Sequence, residues 1–324
     1  MTLTDYIELF ERTLHDELTA YTEPAWIYEP VRYIMSQGGK RVRPVLTLLS
    51  AEACGATRES ALPAALAVEL LHNFTLVHDD IMDRSEKRRG RDTVYVRFGD
   101  NAAILSGDVL LGLAMRALNR SAALAPQPLR LHEAFTTGLI DVCDGQALDL
   151  EYMERENVSV DDYFRMIERK TAALLELSVA FGAGVAGASS EHTTALNTFA
   201  REVGVAFQMQ DDILDLTGSE EFGKAPGGDI VEGKRTWLML TARARATSGT
   251  HRTLLDRFFT ERGLPREELP AVISMLDELG VLHDARKDVS RRSEASHAAL
   301  HILPDTPARA MLEELATGLI SRTR

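Results

Sequence analysis

Asp79-Asp80-Ile81-Met82-Asp83 and Asp211-Asp212-Ile213-Leu214-Asp215 each place acids at i, i+1 and i+4. On a helix the i and i+4 side chains share one face, so Asp79 pairs with Asp83 and Asp211 with Asp215. Like charges at that spacing repel and weaken the helix unless a cation sits between them. Hard carboxylate oxygens suit Mg²⁺, which takes one or two carboxylates and fills its other positions with water and substrate phosphate. Two such clusters, each near basic residues, point to a magnesium–diphosphate site.

The cations come in a definite order. Gly38-Gly39-Lys40-Arg41-Val42-Arg43-Pro44 puts three of them behind a glycine pair, where backbone freedom and phosphate donors coincide. Arg88-Arg89-Gly90 follows the first acidic motif, and its adjacent side chains point apart, toward two different anions. Lys170-Thr171 lies on a helix leading into small residues. After the second acidic motif come Phe222-Gly223-Lys224-Ala225-Pro226-Gly227-Gly228-Asp229 and Gly233-Lys234-Arg235-Thr236. That loop is glycine-rich and lysine-bearing, but it lacks the spacing and the preceding strand of a P-loop. Alone, the 38–44 turn and the arginine pair each read equally well as solvated basic surface, and Lys170 reads as a snorkelling surface lysine. Their order around two acidic motifs is what carries the signal.

Helices must position these groups. Leu66, Leu70, Phe74 and Val77 recur at steps of three and four over residues 64–83. Ser159 followed by Asp162 reads as a helix start. Breakers fall at Pro126 and Pro128, from Gly218 to Gly233, at Ser248-Gly249, and at Pro304 and Pro307. Hairpin signals are nearly absent. The expectation is an all-α chain, one domain over residues 1–324, with antiparallel helices around a central cavity, because a diphosphate shared by both motifs needs them in one domain.

Composition excludes other classes. Across 324 residues the net charge of −13 argues against non-specific nucleic-acid binding. The two cysteines, Cys54 and Cys143, have no metal-type spacing and suit a reducing cytoplasm. The acidic N-terminus reads as an amphipathic helix rather than a signal peptide, and the most apolar stretch, 172–188, is too short and interrupted to span a bilayer. A cytoplasmic protein without a transmembrane segment is expected.

The ordered set resembles the trans-isoprenyl (polyprenyl) diphosphate synthases, short-chain type, over roughly residues 30–240. The resemblance runs through 38–44, Glu69-Leu70-Leu71-His72-Asn73, the first aspartate motif, Arg88-Arg89-Gly90 and Gly145-Gln146-x-x-Asp149-Leu150. It continues through Lys170-Thr171, Phe207-Gln208-x-x-Asp211-Asp212 and Gly223-Lys224, while the last 80 or so residues add little. It implies that Asp79 and Asp83 bind two Mg²⁺ ions on an allylic diphosphate and Asp211 a third, with Asp215 in support. It assigns Lys40, Arg43, His72 and Arg89 to isopentenyl diphosphate, and Arg88, Lys170, Lys224 and Lys234 to the allylic diphosphate. Thr171 and Gln208 would line the reacting carbons, and a homodimer is implied. One departure stands out: Arg91-Asp92-Thr93-Val94-Tyr95 replaces the family's usual proline, threonine and histidine after Arg-Arg-Gly, which leaves the conformation of that loop open.

The family sets product length by bulk just before the first aspartate motif. Phe74 and Thr75 stand five and four residues before Asp79, and five residues of helix reach about 7–8 Å. This resembles twenty-carbon synthases and favours geranylgeranyl diphosphate; farnesyl diphosphate or a longer product is the alternative. A class I terpene cyclase would share the fold but lack residues 211–215 and the Lys40–Arg43 segment. A carboxylate-bridged di-iron bundle would use Glu69-x-x-His72 and Glu294-x-x-His297, leaving the paired aspartates unexplained.

Overall fold

A computed structural model describes residues 1–218, 226–247 and 249–321. Its helices are α1 (Leu3–Thr19), α2 (Ala25–Met35), α3 (Val42–Ala53), α4 (Arg58–Met82), α5 (Val94–Phe98), α6 (Asp100–Ala122), α7 (Pro128–Glu154) and α8 (Val160–Ile167). They continue as α9 (Ala173–Ala186), α10 (Ser190–Thr217), α11 (Gly228–Val231), α12 (Trp237–Arg245), α13 (Gly249–Glu261), α14 (Leu269–Glu278), α15 (Val281–Leu300) and α16 (Pro307–Ile320). The all-α expectation holds.

Local chemistry explains many of the boundaries. Thr2 and Asp5 form a reciprocal cap on α1, whose buried Tyr6, Phe10 and Leu14 recur every fourth residue. Ser159 and Asp162 cap α8 in the same way, so the helix start read from that pair is present. Of the breakers, Pro126 precedes α7 and Pro304 precedes α16, while Pro128, Gly249 and Pro307 are the first residues of α7, α13 and α16; Gly233 follows α11, and residues 219–225 and Ser248 lie outside the described residues. In α4, Leu66, Leu70 and Val77 are buried, while Phe74 is half-buried.

The expected lack of hairpins needs one correction. Two-residue strands β1 (Lys87–Arg88) and β2 (Arg91–Asp92) pair antiparallel across Arg89-Gly90. Both turn residues take positive φ, 53° and 74°, as a two-residue hairpin turn of type I′ requires. A ladder this short carries no alternating pattern, so periodicity could not reveal it. Tyr33 of α2 donates to the Asp92 carbonyl oxygen at 2.7 Å and ties the hairpin down. The departure at residues 91–95 is thus a strand followed by Thr93 at the start of α5.

The chain divides into two compact units. One comprises Met1–Leu139, Leu174–Thr198 and Ala299–Leu315; the other comprises Ile140–Ala173, Phe199–Ala298 and Ala316–Arg324. Residues 38–44, 79–83 and 88–90 belong to the first, and Lys170, Thr171, Gln208, 211–215 and Lys234 to the second. By length and apolarity α4 and α6 could each cross a membrane, a pair that the reading of residues 172–188 did not single out. They are core helices: 67% and 50% of their most apolar windows are buried inside the fold.

Candidate active site

In the first unit the turn between α2 and α3 builds a cationic pocket. Arg41, at φ 47°, is buried and engaged at all three nitrogens. Nε donates to Glu11 Oε1 (2.6 Å), Nη1 to Glu69 Oε1 (2.7 Å) and Nη2 to the Met35 carbonyl oxygen (3.0 Å). Arg41 therefore fixes the turn. Lys40 is exposed on this turn. Arg43 Nη1 donates to His72 Nε2 at 3.1 Å, which puts the histidine proton on Nδ1. That Nδ1–H and Arg43 Nε are both buried and have no partner among the described residues.

Electrostatics sharpen the point. Burial, and then the charges of Arg43, Arg89, Arg88 and Arg41, hold His72 well below the ordinary imidazole range, so it is neutral at pH 7. Burial also lowers Arg43 to about 10, with Glu69 opposing and Arg89 adding to the effect. Arg89, at the hairpin apex, donates through Nη1 to the Gly38 carbonyl oxygen, so the hairpin and the glycine turn close on each other. Crowded cations and orphaned buried donors are costly unless an anion joins them.

Asp79 and Asp83 occupy the last turn of α4, where Asp83 is the C-cap and its N–H donates to the Asp79 carbonyl oxygen at 2.8 Å. Acids at the negative end of a helix dipole, already repelling each other, call for a cation. Asp80 turns inward instead and is buried. Arg88 grips it through Nε, at 2.9 and 3.1 Å from its two oxygens, and through Nη2 at 2.8 Å. That bidentate pair anchors the hairpin to α4. Arg88, read from sequence as a diphosphate ligand, is thus also a structural tie.

In the second unit a cavity of about 80 Å³ is lined by Lys170, Thr171, Gln208 and Lys234, together with Asp149, Tyr163, Asp212 and Asp229. Lys170 and Thr171 sit on a π-helical stretch, Glu168–Ala172, between α8 and α9. Gly145 of α7 packs against it so closely that a Cβ there would lie 2.2 Å from the Lys170 backbone nitrogen. Only glycine allows that approach. Lys170 Nζ is bound by Asp149.

Four side chains form a directed chain. Tyr163 OH donates to Asp212 Oδ2 at 2.7 Å, and Gln208 Nε2 donates to Asp212 Oδ1 at 2.9 Å. The Gln208 carbonyl oxygen then faces Thr171, whose hydroxyl donates to it at 2.9 Å. The Thr171 proton is committed, so its lone pairs remain available to an electron-poor carbon. Burial, and then Asp229, push Asp212 above the ordinary carboxyl range, and the donors Tyr163 and Gln208 oppose this.

Asp211 and Asp215 stand in the last two turns of α10. Asp215 Oδ2 accepts from the Asp229 backbone N–H at 3.0 Å. Asp229 in turn accepts from Lys234 Nζ at 2.9 Å. Burial works against the Lys234 charge, but Asp229 and Glu232 outweigh it and raise the ammonium above the ordinary lysine range. Lys224 lies outside the described residues.

In the first unit Arg43, His72 and Arg89 come together, and in the second Lys170, Thr171, Gln208 and Lys234 line one cavity. Sequence reasoning missed Asp80, Asp149, Tyr163, Asp212 and Asp229 as working residues. Asp80 and Asp212 were visible as the middle acids of their motifs, and Asp149 and Asp229 stand inside quoted segments; Tyr163 carried no signal. The di-iron alternative loses two of its ligands, since Glu69 is bound to Arg41 and His72 to Arg43. For Mg²⁺ the donor chemistry fits: paired carboxylate oxygens, with the remaining positions left to water and phosphate.

Helices carrying paired acids at their C-terminal ends, with cations set to receive an anion, define an isoprenoid-synthase type of enzyme. The polyprenyl synthetase family model matches residues 24–276. Geranylgeranyl diphosphate synthase of Methanosarcina mazei is 38% identical, over 99% of this chain and 98% of its own length. Geranylfarnesyl diphosphate synthase of Natronomonas pharaonis is 32% identical, over 93% and 91%. The crystal structure of geranylgeranyl pyrophosphate synthetase from Pyrococcus horikoshii superimposes with a TM-score of 0.91 at 35% identity, covering 99% of this chain and 97% of that one. The chain belongs to the polyprenyl synthetase family and is a trans-isoprenyl diphosphate synthase of short to medium product length. The family typically uses Mg²⁺.

Proposed function

We propose that this protein condenses isopentenyl diphosphate with an allylic diphosphate to give geranylgeranyl diphosphate. The observation that carries the reading is the Arg43–His72 pocket, whose buried donors are set to receive an anion. Lys40, Arg43, His72 and Arg89 hold isopentenyl diphosphate, and Arg88, Lys170, Lys224 and Lys234 hold the allylic diphosphate. Asp79, Asp83, Asp211 and Asp215 would hold Mg²⁺, three ions with substrate bound, acting on one diphosphate within a single domain over 1–324. A solved relative that superimposes over nearly the whole chain supports the single domain.

The residues divide the work. Bound Mg²⁺ supplies charge neutralisation for the departing diphosphate. The cations hold both substrates so that the double bond of one faces the ionising carbon of the other. Thr171 and Gln208 present fixed oxygen dipoles toward the carbocation. The released diphosphate removes the final proton, so no protein base is needed. The reaction needs apolar walls around the growing chain to keep water from the cation.

Product length rests on Phe74 and Thr75. At about 100° per residue, Thr75 lies about 40° round α4 from Asp79, and Phe74 about 140°. Thr75 is buried, its hydroxyl donating to the His72 carbonyl oxygen at 2.8 Å. A homodimer is the proposed assembly, and the exposed Ile104, Leu105 and Met115 of α6 support it. Cys54 and Cys143, which are not joined in a disulfide, support a cytoplasmic setting.

Incubation with isopentenyl diphosphate, an allylic starter and Mg²⁺ should yield the twenty-carbon product. A fifteen- or twenty-five-carbon product corrects the length; no elongation overturns the reading. Arg43→Ala should chiefly raise the KM for isopentenyl diphosphate, and Lys234→Ala the KM for the allylic substrate. A lost charge-assisted bond makes each change roughly ten- to a hundredfold. Equal effects of both variants on both substrates would contradict the two-site assignment.

A further inference from the structure

Phe74 and His78 lie one turn apart on α4, and their rings meet edge to face with centroids 4.7 Å apart. On its other side His78 meets α6. Its Nε2 stands 3.3 Å from the Ile104 carbonyl oxygen, which can only accept, so the proton is on Nε2. The Asp108 carboxylate faces the same nitrogen at 3.8 Å. Gly107 lies so close that a Cβ there would stand 2.3 Å from Nε2 and 2.6 Å from Cδ2. Any side chain at 107 would have to displace the ring. The imidazole thus fills the space between the α6 backbone and the Phe74 ring.

Neither ring shares the face of Asp79 and Asp83. His78 lies about 100° round α4 from Asp79, and Phe74 about 140°. The ring that meets Phe74 edge to face is therefore anchored to α6. A half-buried phenyl has rotamers to choose among, and a neighbour fixed by backbone contact removes that choice.

We infer that His78 is the positioning residue of the chain-length limit: wedged against Gly107 and Ile104, it holds the Phe74 ring across the path of the growing prenyl tail. The inference rests on the proposed role of Phe74 and adds the device that makes a single phenyl an effective stop. Without it the ring swings aside and the tail passes.

The test is the product distribution of soluble enzyme supplied with isopentenyl diphosphate, an allylic starter and Mg²⁺. Discrimination by one apolar contact is worth tenfold or more, so His78→Ala should raise the share of products longer than wild type roughly tenfold. His78→Gln keeps a nitrogen donor for the Ile104 carbonyl oxygen and should shift the distribution the same way by less. It also serves as the readable variant if His78→Ala fails to fold. Phe74→Ala should lengthen the product by itself, and His78→Ala added to it should change nothing more. A general packing defect would lower total turnover without moving the ratio. If Phe74→Ala lengthens the product while both His78 variants keep the wild-type ratio, the inference is overturned and the role of Phe74 stands. Further lengthening in the double variant also overturns it, because His78 would then meet the tail directly. A wild-type ratio in Phe74→Ala overturns the length assignment itself.

Discussion

Asp79→Ala and Asp211→Ala should each lower kcat by roughly a thousandfold or more, since lost metal clamping removes about 4 kcal/mol of charge stabilisation. The loss should come without a matching fall in Tm. Both acids stand near the C-terminal ends of long helices, Asp79 in α4 and Asp211 in α10. There an acid opposes the helix dipole and faces another acid one turn away, which offsets what its own contacts contribute to the fold. Steady-state kinetics beside thermal unfolding separate the two effects. Near-wild-type turnover in either folded variant would end the reading in which both clusters serve one diphosphate.

Phe74→Ala should move the product from twenty carbons to twenty-five and beyond. Removing the phenyl opens apolar space, and each methylene buried there is favourable by roughly 0.8 kcal/mol, so elongation continues until another wall is met. Phe74 is half-buried, so the truncation should cost less than the roughly 3–5 kcal/mol of a fully buried phenylalanine. Chromatographic sizing of the products of soluble protein decides the matter. An unchanged distribution in active enzyme would show that another helix builds the floor.

The two predictions differ in how far the chain itself foretold them. The aspartate spacing is a local property: on any helix i and i+4 share a face, so the paired acids were legible before any packing was known. The Ser159–Asp162 cap and the apolar stripe of α4 were legible for the same reason. What Arg88 and Arg89 each do was not. Adjacent arginines in a two-residue hairpin go to different partners, Arg88 to buried Asp80 and Arg89 to the Gly38 carbonyl oxygen. That choice depends on a turn which no periodicity announces.

The sequence by itself determined an all-helical chain, the acidic pairs with their order of cations, and the resemblance that carries the reaction class. All of these follow from contacts within one or two helical turns, or from motifs read along the chain. Tertiary structure decided which charges are free to meet a ligand. Arg41 is consumed by Glu11, Glu69 and the Met35 carbonyl oxygen, whereas Arg43, two residues on, keeps a buried nitrogen open. It also decided that His72 is neutral, that Thr171 has its proton committed to Gln208, and that Gly107 leaves room for His78. Desolvation and hydrogen-bond partnership are set by groups distant in sequence, and only packing brings those groups within reach.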